Sequence, residues 1–98
     1  MSYLVVVTFD IKEGDPDDYN VVYEGLEKIG LKTKLKPDQG EAVTLPTTTT
    51  AGKIDGTSAA AVRDDISTKA KAVFIENNLK GEIFVSVGGD WAWGQRTV

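Results

Sequence analysis

The sequence contains no cysteine and no histidine. Without cysteine the chain has no disulfide, no thiolate nucleophile and no thiolate metal ligand. Without histidine it lacks the side chain that most often acts as a base near neutral pH and as a metal ligand. Any chemistry must therefore use carboxylates, hydroxyls, lysine, arginine or a bound metal ion.

The sequence also has no excess of positive charge, because 15 acidic residues against 11 basic ones give a formal net charge of -4. Nucleic-acid-binding proteins gain much of their affinity from Lys and Arg contacts with phosphates, so this balance counts against such a partner. No run approaches the roughly 20 apolar residues that a membrane span needs. The chain enters a strand-like segment after Met1 and Ser2 without the features of a secretory signal. We therefore expect a cytoplasmic protein with no membrane contact.

The first half of the chain predicts a strand, a helix and a second strand. Tyr3–Ile11 is rich in valine and aromatic residues and has no clearly polar face, as is typical of a central strand. Asp15 is the predicted N-cap of a helix, Pro16 its first residue and Gly30 its C-terminal cap. Lysine alternates with leucine and threonine over Leu31–Lys36, which predicts an edge strand.

The second half predicts a strand, a helix and a last strand. Pro46 interrupts a segment rich in valine and threonine, so the paired part is placed at Thr47–Ile54. Ser58 is the predicted cap of a long helix over Ala59–Asn78, which has neither glycine nor proline. Alternating apolar residues then indicate a strand around Ile83–Val87.

These elements predict one α+β domain over residues 1–98, a ferredoxin-like βαββαβ sandwich. Two helices cannot cover both faces of a sheet, so a four-stranded antiparallel sheet should carry both helices on one face. Val5 and Val7 alternate with Leu4 and Val6 in the first strand, which indicates that the other face is dry as well. An uncovered apolar face favours a homodimer.

Several motifs along nearly the whole chain resemble the small CRISPR-adaptation (Cas-two-like) superfamily, in particular its SinR-like stand-alone branch. The endoribonuclease antitoxins of type V toxin-antitoxin systems are similar in length and layout. Besides the threonine-rich third strand, the motifs are Phe9-Asp10-Ile11, Asp18-Tyr19, Tyr23-Glu24, Ile29-Gly30, Ser58-Ala59, Val62-Arg63-Asp64 and Val87-Gly88-Gly89-Asp90-Trp91-Ala92.

The resemblance implies a ferredoxin-like homodimer in which Asp10, at the end of the first strand, lies near its symmetry mate and shares a divalent metal. Two carboxylates a few Å apart repel each other unless a proton or a cation lies between them. Mg²⁺ would meet that need and could activate water at a scissile phosphate. The implied function is a nuclease-like, endoribonuclease-type protein of a defence or toxin-antitoxin system, with Asp10 as catalytic residue and metal ligand.

A catalytically silent homodimer that binds another protein is the alternative, and neither hypothesis specifies the mode of dimerisation. Asp10 can also be an ordinary solvated carboxylate near a turn. The nearby cluster of Asp15, Asp17 and Asp18 could add metal ligands, but helix capping explains it without a site. Strand propensity similarly explains the threonines at 47–50 better than phosphate binding does.

Two further features are candidates for binding. Lys32, Lys34 and Lys36 form a basic stripe along the predicted edge strand, where they could contact RNA phosphates or prevent further strand pairing. Trp91 and Trp93 follow a glycine pair and are expected to anchor a protein interface or close one end of the core. Stacking on nucleic-acid bases is the alternative for this pair.

Overall fold

The computed structural model describes residues 1–98 and has a mixed α+β architecture. Its elements are β1 (Ser2–Ile11), α1 (Pro16–Lys28), β2 (Lys34–Leu35), β3 (Val43–Thr44), β4 (Thr50–Asp55), α2 (Ala59–Glu76) and β5 (Gly81–Gly88). One sheet has three strands in the order β4-β1-β5, and β1 is antiparallel to both neighbours. β2 and β3 form a separate two-stranded sheet.

The central position of β1 confirms the strand predicted at Tyr3–Ile11. Side chains alternate between the two faces of a strand. The odd-numbered residues of β1 are buried in a core cluster with side chains from both helices. Both helices therefore cover the same face of the sheet, as predicted. They contribute Val22 and Leu26 from α1, and Val62, Ile66, Ala70, Val73 and Phe74 from α2.

The ends of α1 follow the predicted capping pattern. The Asp15 carboxylate accepts a hydrogen bond from the Asp18 amide, and the Asp18 carboxylate accepts one from the Asp15 amide. At the other end Gly30 has a φ of 96°, and the amides of Gly30 and Leu31 donate to the carbonyls of Glu27 and Leu26. This is the Schellman arrangement, in which a left-handed residue closes the last turn.

The end of α2 differs from the prediction. The helix ends at Glu76, and Asn78 adopts a φ of 56°. The Leu79 amide then donates to the Phe74 carbonyl across the turn. Asparagine tolerates the left-handed region, so Asn78 takes the place that glycine takes after α1.

The predicted edge strand at Leu31–Lys36 is largely absent from the main sheet. Only Lys32 pairs with β4, through two backbone hydrogen bonds of 2.9 Å with Ala51. Lys34 and Leu35 instead pair with β3. The local hairpin satisfies backbone groups that a full fourth strand would have paired with β4, so a four-stranded sheet does not form.

The predicted strand at Thr47–Ile54 is shifted to Thr50–Asp55. Thr48 lies just before it, and its hydroxyl accepts a hydrogen bond from the Phe9 amide at 3.2 Å and donates one to the Phe9 carbonyl. A side chain thus replaces the backbone as the partner of β1.

Neither helix has the length and apolar composition that crossing a membrane requires.

Candidate functional site

The sheet face opposite the helices, called the second face below, carries the candidate residues. Residues paired directly across an antiparallel sheet point to the same side, so the strand register assigns the members of this face. They include Leu4, Val6, Thr8 and Asp10 of β1, Ala51, Lys53 and Asp55 of β4, and Glu82, Phe84 and Ser86 of β5. The centre of the second face is apolar and its ends are charged.

Asp10 is exposed at the end of β1, next to the last residue of the strand. Its Oδ1 accepts a hydrogen bond from the Tyr19 hydroxyl at 3.1 Å. The same hydroxyl oxygen lies 3.5 Å from the Ile11 amide, which donates to it. The Tyr19 ring is stacked with Phe9, with 5.9 Å between ring centroids. A packed tyrosine from α1 therefore fixes one oxygen of the Asp10 carboxylate.

Glu82 lies directly opposite Asp10 in the β1–β5 pair. Like charges in facing positions destabilise a sheet, and a bound cation would relieve the repulsion. Sequence reasoning missed Glu82 because the 71 residues between Asp10 and Glu82 give no signal of strand register. The fold therefore makes Asp10 one member of a carboxylate pair.

The carboxylate pair fits a sparse Mg²⁺ site. No group of three or more acidic side chains is arranged to hold a metal ion, so a single copy has no cage of protein ligands. Mg²⁺ typically keeps several waters and takes only one or two carboxylates together with substrate phosphates. Asp10 and Glu82 match that donor set.

Comparison with known proteins adds no family to this geometry. No family model matches the chain, and no curated protein or solved structure gives a significant match. The resemblance drawn from the motifs therefore stays a hypothesis. A function for the chain has to be argued from its own residues.

Tyr23 belongs to α1 and packs on the helix side of the sheet, near the end of β1 that carries Asp10. Burial raises the pKa of the Tyr23 hydroxyl above its usual value, and a hydrogen bond with Thr47 offsets part of the rise. Tyr23 also packs edge-on against Phe9, with 5.4 Å between ring centroids. The Tyr23 hydroxyl is therefore protonated at neutral pH.

Several residues considered for binding have structural roles instead. Asp15 and Asp18 form the predicted cap of α1, and Asp17 lies in the first turn, where a carboxylate favours the helix dipole. The hydroxyl of the fully buried Thr50 donates to the Val7 carbonyl at 3.0 Å. Like Thr48, Thr50 therefore uses its hydroxyl to hold β4 against β1, and neither hydroxyl is available to a phosphate.

Trp91 and Trp93 lie at the other end of the second face. Both are half-buried and line an open groove of about 520 Å³, called the tryptophan groove below. Its walls include Leu4, Leu35, Lys36, Lys53, Trp91 and Trp93. The Lys53 ammonium lies 5.6 Å from the centroid of the Trp91 ring, within the range of a cation–π interaction.

The structure separates the three lysines of the predicted stripe. Lys36 reaches the tryptophan groove. Lys32 pairs with Ala51 and so lies on the second face, whereas Lys34 pairs with Thr44 in the hairpin outside the groove. Asp10 lies six residues from Leu4 along β1, or about 20 Å at 3.3 Å per residue. The carboxylate pair and the tryptophan groove are therefore two distinct regions of one face.

Proposed function

We propose that the chain is a small nuclease-like homodimer of the endoribonuclease type, acting on RNA in the cytoplasm as part of a defence or toxin-antitoxin system. In this proposal its fold is a reduced ferredoxin-like sandwich, and the segment at Lys32 occupies the place of the fourth strand. The observation that supports it is the carboxylate pair of Asp10 and Glu82, both exposed on the second face. The Tyr19 hydroxyl orients Asp10 within this pair.

Asp10 and Glu82 are the residues that would hold Mg²⁺. When bound, the ion supplies positive charge to a scissile phosphate and lowers the pKa of a coordinated water. Tyr19 holds Oδ1 of Asp10 and leaves Oδ2 for a ligand. A second copy placed against the second face would add its own Asp10 and increase the number of carboxylates available to the ion.

Removal of metal tests this proposal directly. We expect the purified protein to cleave single-stranded RNA in Mg²⁺, to lose the activity in EDTA and to regain it when Mg²⁺ is restored, because two uncompensated carboxylates repel a phosphate. The measurement is gel analysis of an end-labelled RNA. Cleavage that persists in EDTA would point to a contaminating metal-independent ribonuclease, and absence of cleavage in Mg²⁺ would exclude the proposal.

A catalytically silent, protein-binding homodimer is the second candidate, and the exposure of Phe84 favours it. Phe84 is 65% exposed although it lies in the apolar centre of the second face, opposite Thr8 and close to Val6. Val6 beside it is only partly buried, and contiguous exposed apolar surface marks a contact with another protein. Both candidates share the dimer and differ in whether Asp10 has a chemical role.

Phe84→Lys should therefore convert the dimer into a monomer. A charge in the centre of an apolar contact should cost at least about 2 kcal/mol, which raises the dissociation constant about thirty-fold. Sedimentation equilibrium measures this shift. Ile75→Lys is the matched control, because Ile75 is 63% exposed but lies on α2, away from the second face. A monomeric wild-type protein, or equal effects of the two variants, would exclude a dimer built on the second face.

A further inference from the structure

We infer that the tryptophan groove is a binding site for a nucleotide unit, with the base against the indole rings and the phosphate at the lysines. The site is distinct from the carboxylate pair, since it lies at the opposite end of β1. The inference does not depend on the proposed nuclease activity. It requires only a ligand that combines an aromatic ring with a negative charge.

The shape of the groove indicates a ligand site more than a closed lid. A lid would bury both indole rings, whereas Trp91 and Trp93 remain half-buried beside about 520 Å³ of open space. That volume lies within the range of roughly 300–1,000 Å³ that small-molecule sites occupy. Leu4 and Leu35 supply an apolar wall. Such a wall favours a flat aromatic ring, because the ring buries apolar surface against it when it binds.

The charge of the groove favours an anionic partner. Lys36 and Lys53 lie in its wall, and Asp38 is the one acidic residue there. The acidic residues of α1 belong to the helical layer on the other side of the sheet. Charges are screened over about 10 Å at 0.1 M salt, so the local positive charge governs binding more than the net charge of -4 does.

The combination of rings and cations distinguishes a nucleotide from an acidic peptide. Stacking of a base on an aromatic side chain contributes about 1–3 kcal/mol and tolerates any base, because every base presents a π face. An acidic peptide would use the lysines but not the rings. The nucleotide can be free or can be part of a single-stranded nucleic acid, and the two sources share this chemistry.

Intrinsic fluorescence provides the test, since Trp91 and Trp93 are the only two tryptophans in the chain. In EDTA, where no cleavage is proposed, we expect saturable quenching by AMP, weaker binding of adenosine and no effect of inorganic phosphate. A short oligoadenylate should bind more tightly than AMP if the site holds single-stranded RNA, and equally well if it holds free nucleotide. Failure of cleavage in Mg²⁺ would leave these titrations unaffected.

Lys53→Gln should weaken AMP binding about tenfold, as expected for the loss of a hydrogen bond to a charged group, and leave adenosine binding unchanged. Lys71→Gln on α2 removes the same charge outside the groove and should change neither affinity. The inference fails if AMP does not quench, if phosphate quenches as well as AMP does, or if the two lysine variants bind AMP equally. Quenching by a polyglutamate peptide at the affinity of AMP would indicate protein docking instead.

Discussion

An Asp10→Asn variant should cleave RNA at least about 100-fold more slowly than the wild-type protein in Mg²⁺. An amide oxygen is a far weaker ligand for a hard cation than a carboxylate is, and 100-fold corresponds to about 2.7 kcal/mol of lost transition-state stabilisation. The amide oxygen can still accept the hydrogen bond from Tyr19. The variant should therefore keep its fold while it loses activity.

Asp55→Asn is the matched control for this substitution. Asp55 is an exposed aspartate of the same face, and it lies opposite Ser2 at the far end of the sheet. Its replacement should leave the cleavage rate within about twofold, because ion interactions at that distance are screened. The cleavage rates of the two variants are measured on the same labelled RNA. Equal rates for the two asparagine variants would remove Asp10 from the mechanism and leave the protein-binding dimer as the better reading.

Glu82 extends the same test. If it completes the ion site, Glu82→Gln should also slow cleavage and should raise the Mg²⁺ concentration that gives half of the maximal rate. A role of Glu82 in folding alone would not change that concentration. The titration thus separates a ligand from a residue that merely faces Asp10 across the β1–β5 pair.

Features fixed by near neighbours in the chain could be predicted from the sequence. The limits of α1 could be predicted from Asp15 and Pro16 at its start and Gly30 at its end. Each of these residues acts on backbone groups within one turn of the helix. Ser58 likewise caps α2 by accepting from the Ala61 amide at 3.0 Å. The lack of a clearly polar face predicted the central position of β1, since a strand covered on both sides is a near-continuous apolar run.

Features set by pairing between distant segments could not be predicted. Lys34 and Leu35 pair with β3 and not with β4. Either strand could satisfy their backbone groups, so the sequence does not reveal which pairing forms. The Thr48 hydroxyl takes over a backbone role that strand propensity does not reveal. The candidate site depends on such pairings: the resemblance of the motifs implied Asp10, whereas Glu82 required the strand register.

The overall charge does not describe the charge of each surface. A net charge of -4 counts against a phosphate partner only if the charge is spread evenly. Here Asp17, Asp18 and other carboxylates lie on α1, while Lys36 and Lys53 line the tryptophan groove. The sheet separates these two sets. An acidic chain can in this way offer one basic, aromatic surface.

Gly52→Ala should destabilise the protein by about 3 kcal/mol or more, at the upper end of overpacking effects. A Cβ at residue 52 would lie 2.0 Å from the Gly30 carbonyl oxygen and 3.1 Å from its carbon. Both are backbone atoms of the segment that leaves α1, so no side-chain rotation relieves the clash. The shift would disturb the fully buried Leu31 and the pairing of Lys32 with Ala51.

Gly88→Ala controls for the loss of backbone freedom that any glycine replacement brings, because a Cβ there meets no atom within 4 Å. This change should alter the free energy of unfolding by no more than about 0.5 kcal/mol. Urea unfolding followed by far-UV circular dichroism gives both values from the midpoints and slopes. The close approach of Gly30, in the segment after α1, to Gly52 of β4 predicts a large difference between the two alanine variants. Equal midpoints would mean that the segment after α1 does not pass against Gly52, and the place of Lys32 beside the main sheet would then be wrong as well.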